Sequence, residues 1–213
     1  MKIPEKDYEY LMNSKVNAWA IWGSHDPKEY ADEVWEQYHA YLKPGVILLG
    51  LNPSQELIEY RNFHHPGKAN DTKLKNWIQG DEETIETDKA GMPVTNLPNL
   101  FGAFMTDLAH SQFDKKSSNV TIKKKDIEAF VEILKKLGRE RYQIICFGNQ
   151  VYNTAKSWLL NEEIIGDGVV TANNQSRQFE IELYKVMHYS FYHGKNRTGK
   201  QLAYLSNNYI SND

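Results

Sequence analysis

The feature that most constrains this chain is a continuous apolar run that ends abruptly, within residues 45–54. Residues 46–49 leave no polar face for water, which predicts a short strand buried on both sides in a sheet. The run then meets Gly50, Asn52 and Pro53, and a proline cannot donate to a sheet ladder. Because ligands of open α/β sheets bind at the carboxyl ends of strands, Asn52 is a candidate site residue. An ordinary Asn-Pro turn after a strand would give the same pattern.

Length and composition indicate one globular domain. The chain has 213 residues, of which 40% are hydrophobic and 12% aromatic, and this is enough to bury an α/β core. We therefore expect a single domain over residues 1–213, with residues 1–43 as an N-terminal helical extension packed on it. No apolar run approaches the length of a membrane span and residues 1–5 open no signal peptide, so we expect a cytoplasmic protein.

Charge and cysteine content exclude several classes of protein. The only cysteine, Cys146, lies in the apolar run 144–147 and is expected to be buried. A single cysteine excludes a disulfide framework, a cysteine-ligated iron–sulfur cluster and a cysteine-rich zinc site. The net charge is −3, whereas nucleic-acid binders are usually basic, so any DNA-binding charge must be local.

Helical and strand patterns alternate along the chain, which predicts an α/β fold. We expect a three-layer α/β/α sandwich around a central, mostly parallel, four-stranded sheet. Residues 5–43 have a helix-like apolar spacing in two pieces, broken near 23–27. Further strands are predicted at 101–108, 144–147 and 180–187, further helices at 71–78, 126–137, 148–159 and 199–209, loops at 54–68 and 110–123, and an exposed insertion at 80–89.

Three of the predicted strands end in polar residues suited to a shared cleft. They are Asn52 after the first strand, Asp107 at the end of the second and His188 after the last. Because the carboxyl ends of parallel strands share one edge of a sheet, we expect these three side chains to line one cleft. Taken alone, His188 is equally well explained as a structural histidine near a strand end.

Several motifs make the sequence similar to the uracil-DNA glycosylase superfamily, in particular its mismatch-specific and single-strand-selective branches. Residues 50–54, Gly-Leu-Asn-Pro-Ser, resemble the first motif of that family, and residues 188–190, His-Tyr-Ser, resemble its second. Residues 63–70, which contain His-Pro-Gly and Asn70, and then Trp77 are similar in spacing to the segment that follows the first motif. The resemblance covers roughly residues 44–205 in order and spacing.

This resemblance implies a set of roles. Asn52 would orient the attacking water, and His188 would donate a hydrogen bond to the leaving base as negative charge develops on it. Phe63, with His64 close behind, would stack on the extruded base, although ordinary loop packing is an alternative. Phe191 and Tyr192 would form the wedge that enters the duplex and fills the gap left by the flipped nucleotide, or else belong to the core of a turn. The remaining substrate contacts would come from Gly50, Leu51, Pro53, Ser54, Asp107 and Ser190.

Two departures from the family pattern bear on activity. Tyr189 stands where the family has proline, which predicts a differently shaped second loop. Asp107 ends the strand that in several members presents a base-reading asparagine. An amide both donates and accepts, whereas a carboxylate only accepts. Either Asp107 is not the reader, or the preferred base is not plain uracil.

Residues 194–201 nearly spell a P-loop, but the position of the magnesium-binding hydroxyl is taken by Gln201. We therefore reject a nucleoside triphosphatase. Lys195, Arg197 and Lys200 instead form a local basic loop suited to DNA phosphates, or simply a solvated turn. No metal or cofactor is expected, because the adjacent His64 and His65 point in different directions in an extended segment.

The sequence as a whole predicts a monomeric DNA glycosylase that flips a damaged or mismatched base, with uracil the first expectation, and hydrolyses its N-glycosidic bond. The alternative is a catalytically silent protein of the same fold that binds a nucleotide or nucleic acid. Neither function involves a membrane.

Overall fold

The computed structural model describes residues 3–14, 16–22, 39–53, 69–80, 89, 94–159, 179–188 and 197–210. Five strands form one sheet in the order β1-β3-β2-β4-β5, and only the pairing of β1 with β3 is antiparallel. The α/β class and the mostly parallel sheet are therefore confirmed, whereas the expected four strands are five. The strands are β1 Ala18–Trp19, β2 Lys43–Gly50, β3 Ala103–Asp107, β4 Arg141–Phe147 and β5 Glu180–Val186.

Five α-helices and two short 3-10 turns accompany these strands in the described part of the chain. The amphipathic pattern after residue 123 forms a helix that ends, as predicted, at Gly138, whose φ of 66° is left-handed. No helix among the described residues has the length and apolarity needed to cross a bilayer. The helices are α1 Glu5–Met12, α2 Ala69–Ile78, α3 Lys124–Leu137, α4 Asn149–Leu159 and α5 Arg197–Asn208, and the 3-10 turns are His39–Tyr41 and Ser117–Asn119.

The apolar run that ends at Gly50 forms the central strand β2. Residues 46–49 are all buried, and successive side chains of a strand point to opposite faces, so both faces of the sheet are covered there. Parallel neighbours flank β2 on both sides, β3 at Leu49–Thr106 and β4 at Leu49–Cys146. Cys146 is buried and free, as its apolar surroundings predict.

The N-terminal region differs from the expected helical extension. Helix α1 ends at Met12, and Ala18 and Trp19 then form the edge strand β1 on β3. Hydrogen bonds from Ala20 N to Ala103 O and from Gly102 N to Ala20 O extend this pairing. When every residue of a segment is buried, its apolar residues show neither the period of a strand nor that of a helix. The helix-like spacing in this region was therefore not evidence for a helix. The second predicted helix, from about residue 26 to residue 42, lies mostly outside the described residues, and its described end is the 3-10 turn His39–Tyr41.

The order of the strands predicts a crevice at the carboxyl edge of the sheet. After β2 the next described strand is β3, on one side, whereas β4 is followed by β5 on the other side. Connections that leave neighbouring strands in opposite directions open a crevice between them, which is where open α/β sheets bind ligands. A ligand site is therefore expected between the carboxyl ends of β2 and β4.

Candidate functional site at the carboxyl edge of the sheet

Asn52 lies beside this crevice, two residues beyond the end of β2, and is partly buried. Its Nδ2 donates to three backbone carbonyls, those of Pro53 (2.9 Å), Gln112 (3.0 Å) and Asp114 (2.9 Å). These contacts fix the orientation of the amide and leave Oδ1 without a partner among the described residues. Asn52 therefore presents an oriented hydrogen-bond acceptor at the crevice. The neighbouring residues Gly50, Leu51 and Pro53 are buried.

Asp107 ends β3 in register with Gly50, so it comes from the strand next to Asn52. Hydrogen bonds from Leu108 N to Gly50 O (3.0 Å) and from Ala109 N to Leu51 O (2.8 Å) carry the pairing past the strand ends. The Asp107 side chain is only 2% exposed. A ligand could reach it only by entering the protein interior at this edge of the sheet.

Burial changes the chemistry of Asp107. Removal of the carboxylate from water raises its pKa from 3.8 to about 7. At neutral pH a large share of the molecules then carry a neutral carboxylic acid, which has both a donor hydroxyl and an acceptor oxygen. In its neutral form the acid has the two-sided hydrogen bonding of an amide, whereas the prediction from the sequence considered only the carboxylate.

His188 follows β5 at the same edge of the sheet and is partly buried. A Cβ placed on Gly148, at the end of β4, would lie 3.8 Å from the Cβ of His188. The preceding residue is held from α5, because Met187 N donates to Gln201 Oε1 (2.8 Å) and Thr198 Oγ1 donates to Met187 O (3.1 Å). Burial lowers the pKa of His188, so its imidazole is neutral at neutral pH.

The three predicted residues thus share one edge but are not evenly spaced. Asp107 and Asn52 follow neighbouring strands, whereas β4 separates Asn52 from His188. Two strand spacings correspond to roughly 10 Å across the sheet. Asn52 and Asp107 lie on one side of the crevice, and His188 lies on the far side, next to Gly148.

Several other predicted site residues lie outside the described part of the chain. Of the predicted basic loop, Arg197 and Lys200 are described, and both are exposed in the first turn of α5. Gln201, which spoiled the P-loop pattern, supports Met187 instead. Those outside the described residues are Ser54, Phe63, His64, Ser190, Phe191, Tyr192 and Lys195.

Trp77, part of the family-like segment, has a packing role. A Cβ added to Gly199 of α5 would lie 2.7 Å from Trp77 Nε1 and 2.9 Å from two of its ring carbons. The ring therefore occupies the space that a side chain at Gly199 would need. This contact fixes α2 against the helix whose first turn supports Met187 and, through it, His188.

Sequence reasoning missed a buried polar network behind β3. Asn17 Nδ2 donates to Leu11 O, and Asn17 Oδ1 accepts from Thr106 Oγ1 at 2.7 Å. Thr106 Oγ1 also lies 2.9 Å from His110 Nε2, and the direction of that hydrogen bond depends on the tautomer of the ring. Burial lowers the pKa of His110 to about 4, which keeps the ring neutral. Its position just beyond a strand end was a signal that could have identified it.

The second omission was the polar segment after β3, which was interpreted only as a loop. Two of the three carbonyls that hold Asn52 belong to its residues Gln112 and Asp114. It follows a strand that ends at the same sheet edge as β2, so the reasoning applied to Asn52 applies here as well.

No protein-family model matches the chain, and no curated protein matches it significantly. The resemblance to uracil-DNA glycosylases therefore rests on the sequence motifs, and the family assignment stays a prediction.

Proposed function

We propose that the protein is a DNA glycosylase of a uracil-DNA glycosylase-like, three-layer fold, acting in the cytoplasm on a flipped base, with uracil as the first substrate to test. The observation that carries this proposal is the Asn52 amide, held by three backbone carbonyls beside a crevice of the kind that binds ligands. The Gly-Leu-Asn-Pro motif that contains Asn52 is the point of closest resemblance to the family.

The oriented amide suits the reaction. Hydrolysis of an N-glycosidic bond builds positive charge on the sugar and negative charge on the leaving base, so water needs alignment more than deprotonation. A water that donates one hydrogen to Asn52 Oδ1 would direct a lone pair at the anomeric carbon. Because the three carbonyls hold the amide before substrate arrives, little reorganisation is needed.

His188 and Asp107 complete the proposed chemistry. A neutral His188 donates its N–H to the oxygen on which the leaving base accumulates charge. A neutral Asp107 donates to O4 of uracil and accepts from N3–H, as an amide would. The buried position of Asp107 supports this role only for a base turned out of the stack and inserted into the crevice.

A catalytically silent binding protein is the second candidate. One observation favours it: the hydrogen bonds of Asn52 Nδ2 also fasten the segment 112–114 to the end of β2, which is a sufficient structural reason for an asparagine. Tyr189 in place of proline favours it too. On this alternative, substitutions at Asn52 and His188 would change stability or ligand affinity without any excision to lose.

Single-turnover excision measured beside equilibrium binding separates the two candidates. Single- and double-stranded oligonucleotides containing uracil, a thymine mismatch, hypoxanthine or xanthine are incubated with the protein, and abasic sites are cleaved with alkali. We expect His188→Gln and Asn52→Ala each to lower the excision rate about 10²-fold or more, with DNA binding nearly intact. Asn208→Ala, which removes an exposed amide donating to Tyr204 O, is the matched control and should excise normally.

Asn52→Ala also loosens the segment 112–114, so its urea unfolding is measured in parallel. His188→Gln leaves that segment untouched and keeps the catalytic claim testable if Asn52→Ala unfolds. A parent protein that binds these oligonucleotides but excises none of the four bases would contradict the proposal and favour the silent alternative.

A further inference from the structure

The segment that holds Asn52 is itself held together by side-chain hydrogen bonds. Gln112 makes a reciprocal pair with Thr121, in which Gln112 Nε2 donates to Thr121 O (2.7 Å) and Thr121 N donates to Gln112 Oε1 (3.1 Å). Asp114 accepts from Lys116 N (2.8 Å) and from Asn119 Nδ2 (2.9 Å). Residues 112–121, here called the β3–α3 loop, are therefore closed at the base and braced inside.

The position of this loop is fixed by the candidate catalytic residue. Asn52 Nδ2 reaches the carbonyls of Gln112 and Asp114, which lie at the base of the loop. Gln150 of α4 donates to Val120 O at 3.1 Å, which ties the other end of the loop to the helix that follows β4. The loop is thus hydrogen-bonded to a residue that follows β2 and to a residue that follows β4.

The loop and the helix that follows it carry a concentration of positive charge. Lys115, Lys116, Lys123 and Lys125 are all exposed, and none of them forms an ion pair with another described residue. Lys124 pairs with Glu128 at 3.5 Å. The only acid of the loop, Asp114, is occupied by its two hydrogen bonds, which lower its pKa. In a chain with a net charge of −3, these lysines are a local basic surface.

An exposed aromatic ring lies within this basic surface. Phe113 is 45% exposed, and it lies between the two residues whose carbonyls hold Asn52. Lysines that track phosphates combined with an aromatic ring that stacks on bases are the elements by which proteins bind single nucleic-acid strands. Burial in the core does not account for Phe113.

We propose that the β3–α3 loop is a DNA-binding surface, on which Lys115 and Lys116 contact phosphates and Phe113 stacks on the base next to the flipped nucleotide. This inference rests on the proposed function for the identity of the ligand. Lys123 and Lys125, at the start of α3, extend this surface along the path of the bound DNA strand. Because Asn52 holds the loop, a strand bound there lies beside the crevice.

The test uses a matched pair of double variants of the full chain. Lys115→Gln/Lys116→Gln removes two charges from the loop, and Lys135→Gln/Lys136→Gln removes two from the last turn of α3. Lys135 and Lys136 lie just before β4 begins, at the opposite edge of the sheet, about 18 Å along the helix from Lys124. Both variants change the net charge equally.

Binding of a fluorescent, uracil-containing single strand is followed by anisotropy from about 50 to about 200 mM salt. For the loop variant we expect roughly tenfold or greater weakening at the lowest salt and a log–log salt slope about 1.4 units shallower than that of the parent, from two lost phosphate contacts. The control variant should keep the parent slope. An unchanged slope in the loop variant, or an equal change in the control, would overturn the phosphate contacts.

Phe113 is tested separately. Phe113→Ala should weaken binding about 5- to 100-fold without changing the salt slope, while Phe113→Trp should bind at least as tightly as the parent. Full affinity in Phe113→Ala would overturn the stacking. The outcomes stay distinct from those for the proposed function: a parent that binds through this loop without excising overturns the glycosylase, and a parent that excises with an unaltered salt slope in the loop variant overturns only this surface.

Discussion

At the scale of single residues, the most consequential feature is a pair of buried titratable groups with opposite preferences. Burial raises the pKa of Asp107 to about 7 and lowers that of His110 to about 4. Each group is therefore held in its neutral form by the folded protein. Asp107 and His110 are three positions apart at the end of β3, so both make the stability of the same part of the fold depend on pH.

The two groups should oppose each other in the pH dependence of folding. Between pH 3.8 and about 7 the native state keeps a proton on Asp107 that the unfolded chain has lost, so this group makes stability fall as pH rises. Between about 4 and 6.5 the unfolded chain binds a proton that native His110 refuses, so this group makes stability rise with pH. His188 acts in the same direction as His110.

Asp107→Asn should reveal this balance. Without the carboxyl, the free energy of unfolding should exceed that of the parent by an amount that grows from near zero at about pH 4 to about 4 kcal/mol above pH 7, following the size of the shift. Urea unfolding of both proteins at several pH values measures the difference. A constant difference across this range would mean that Asp107 is not buried as an acid.

The same substitution bears on base reading. If a neutral Asp107 pairs with uracil, the excision efficiency of the parent should decline as pH rises through about 7, while that of Asp107→Asn should stay level, because an amide does not titrate. The ratio of the two efficiencies on uracil then increases with pH. Parallel pH profiles for the two proteins would remove Asp107 from the reading of the base.

At the scale of elements, the contact between α2 and α5 links packing to the site. Gly199→Ala would normally favour a helix by up to about 1 kcal/mol. Here the new methyl group would lie 2.7 Å from Trp77 Nε1, so we expect a net loss of about 1–3 kcal/mol in stability. Because the first turn of α5 holds Met187, the excision rate should fall as well. Thermal unfolding and single-turnover excision measure the two effects.

A second substitution distinguishes a steric clash with Trp77 from a general sensitivity of α5 to substitution. Trp77→Phe shortens the ring, so the double variant Trp77→Phe/Gly199→Ala should be less destabilised than the sum of the two single variants. Additive losses would show that the methyl group introduced by Gly199→Ala does not meet the Trp77 ring.

The N-terminal elements belong to the core of the fold. Trp19 of β1 is fully buried, with its ring edge-on to Phe104 at 5.0 Å and stacked on Tyr8 at 6.2 Å. Trp19→Ala should therefore cost about 3–5 kcal/mol of stability. Tyr10→Ala, which removes an exposed ring of α1, is the control and should cost less than about 1 kcal/mol. A loss below about 1 kcal/mol for Trp19→Ala would show that β1 contributes little to the core.

At the scale of the whole molecule, the sequence predicted those elements that have a regular apolar spacing or end at a glycine or a polar residue. The buried strand β2, the ends of β3 and β5 and the stop of α3 at Gly138 all follow from local patterns. The strand β1 did not, because two buried residues that pair with a strand far along the chain leave no periodic trace. Long-range pairing of this kind is decided by tertiary packing.

The candidate site was predictable to a similar extent. Residues placed directly after apolar runs could be identified, as with Asn52 and Asp107. The hydrogen bonds that give these residues their chemistry could not, since they join segments some sixty residues apart, such as Asn52 with Gln112. The burial of Asp107, which raises its pKa and favours the neutral acid, could not be predicted from the sequence either.

The pairing of β1 with β3 also has a consequence for the timing of biosynthesis. Ala18 pairs with Met105, which leaves the ribosome 87 residues later. At about 5–20 residues per second, that interval is roughly 4 to 17 s. Throughout it, Trp19 has no Phe104 beside it to complete its burial. For those seconds β1 has no partner strand, and its buried aromatic side chain is available to a chaperone.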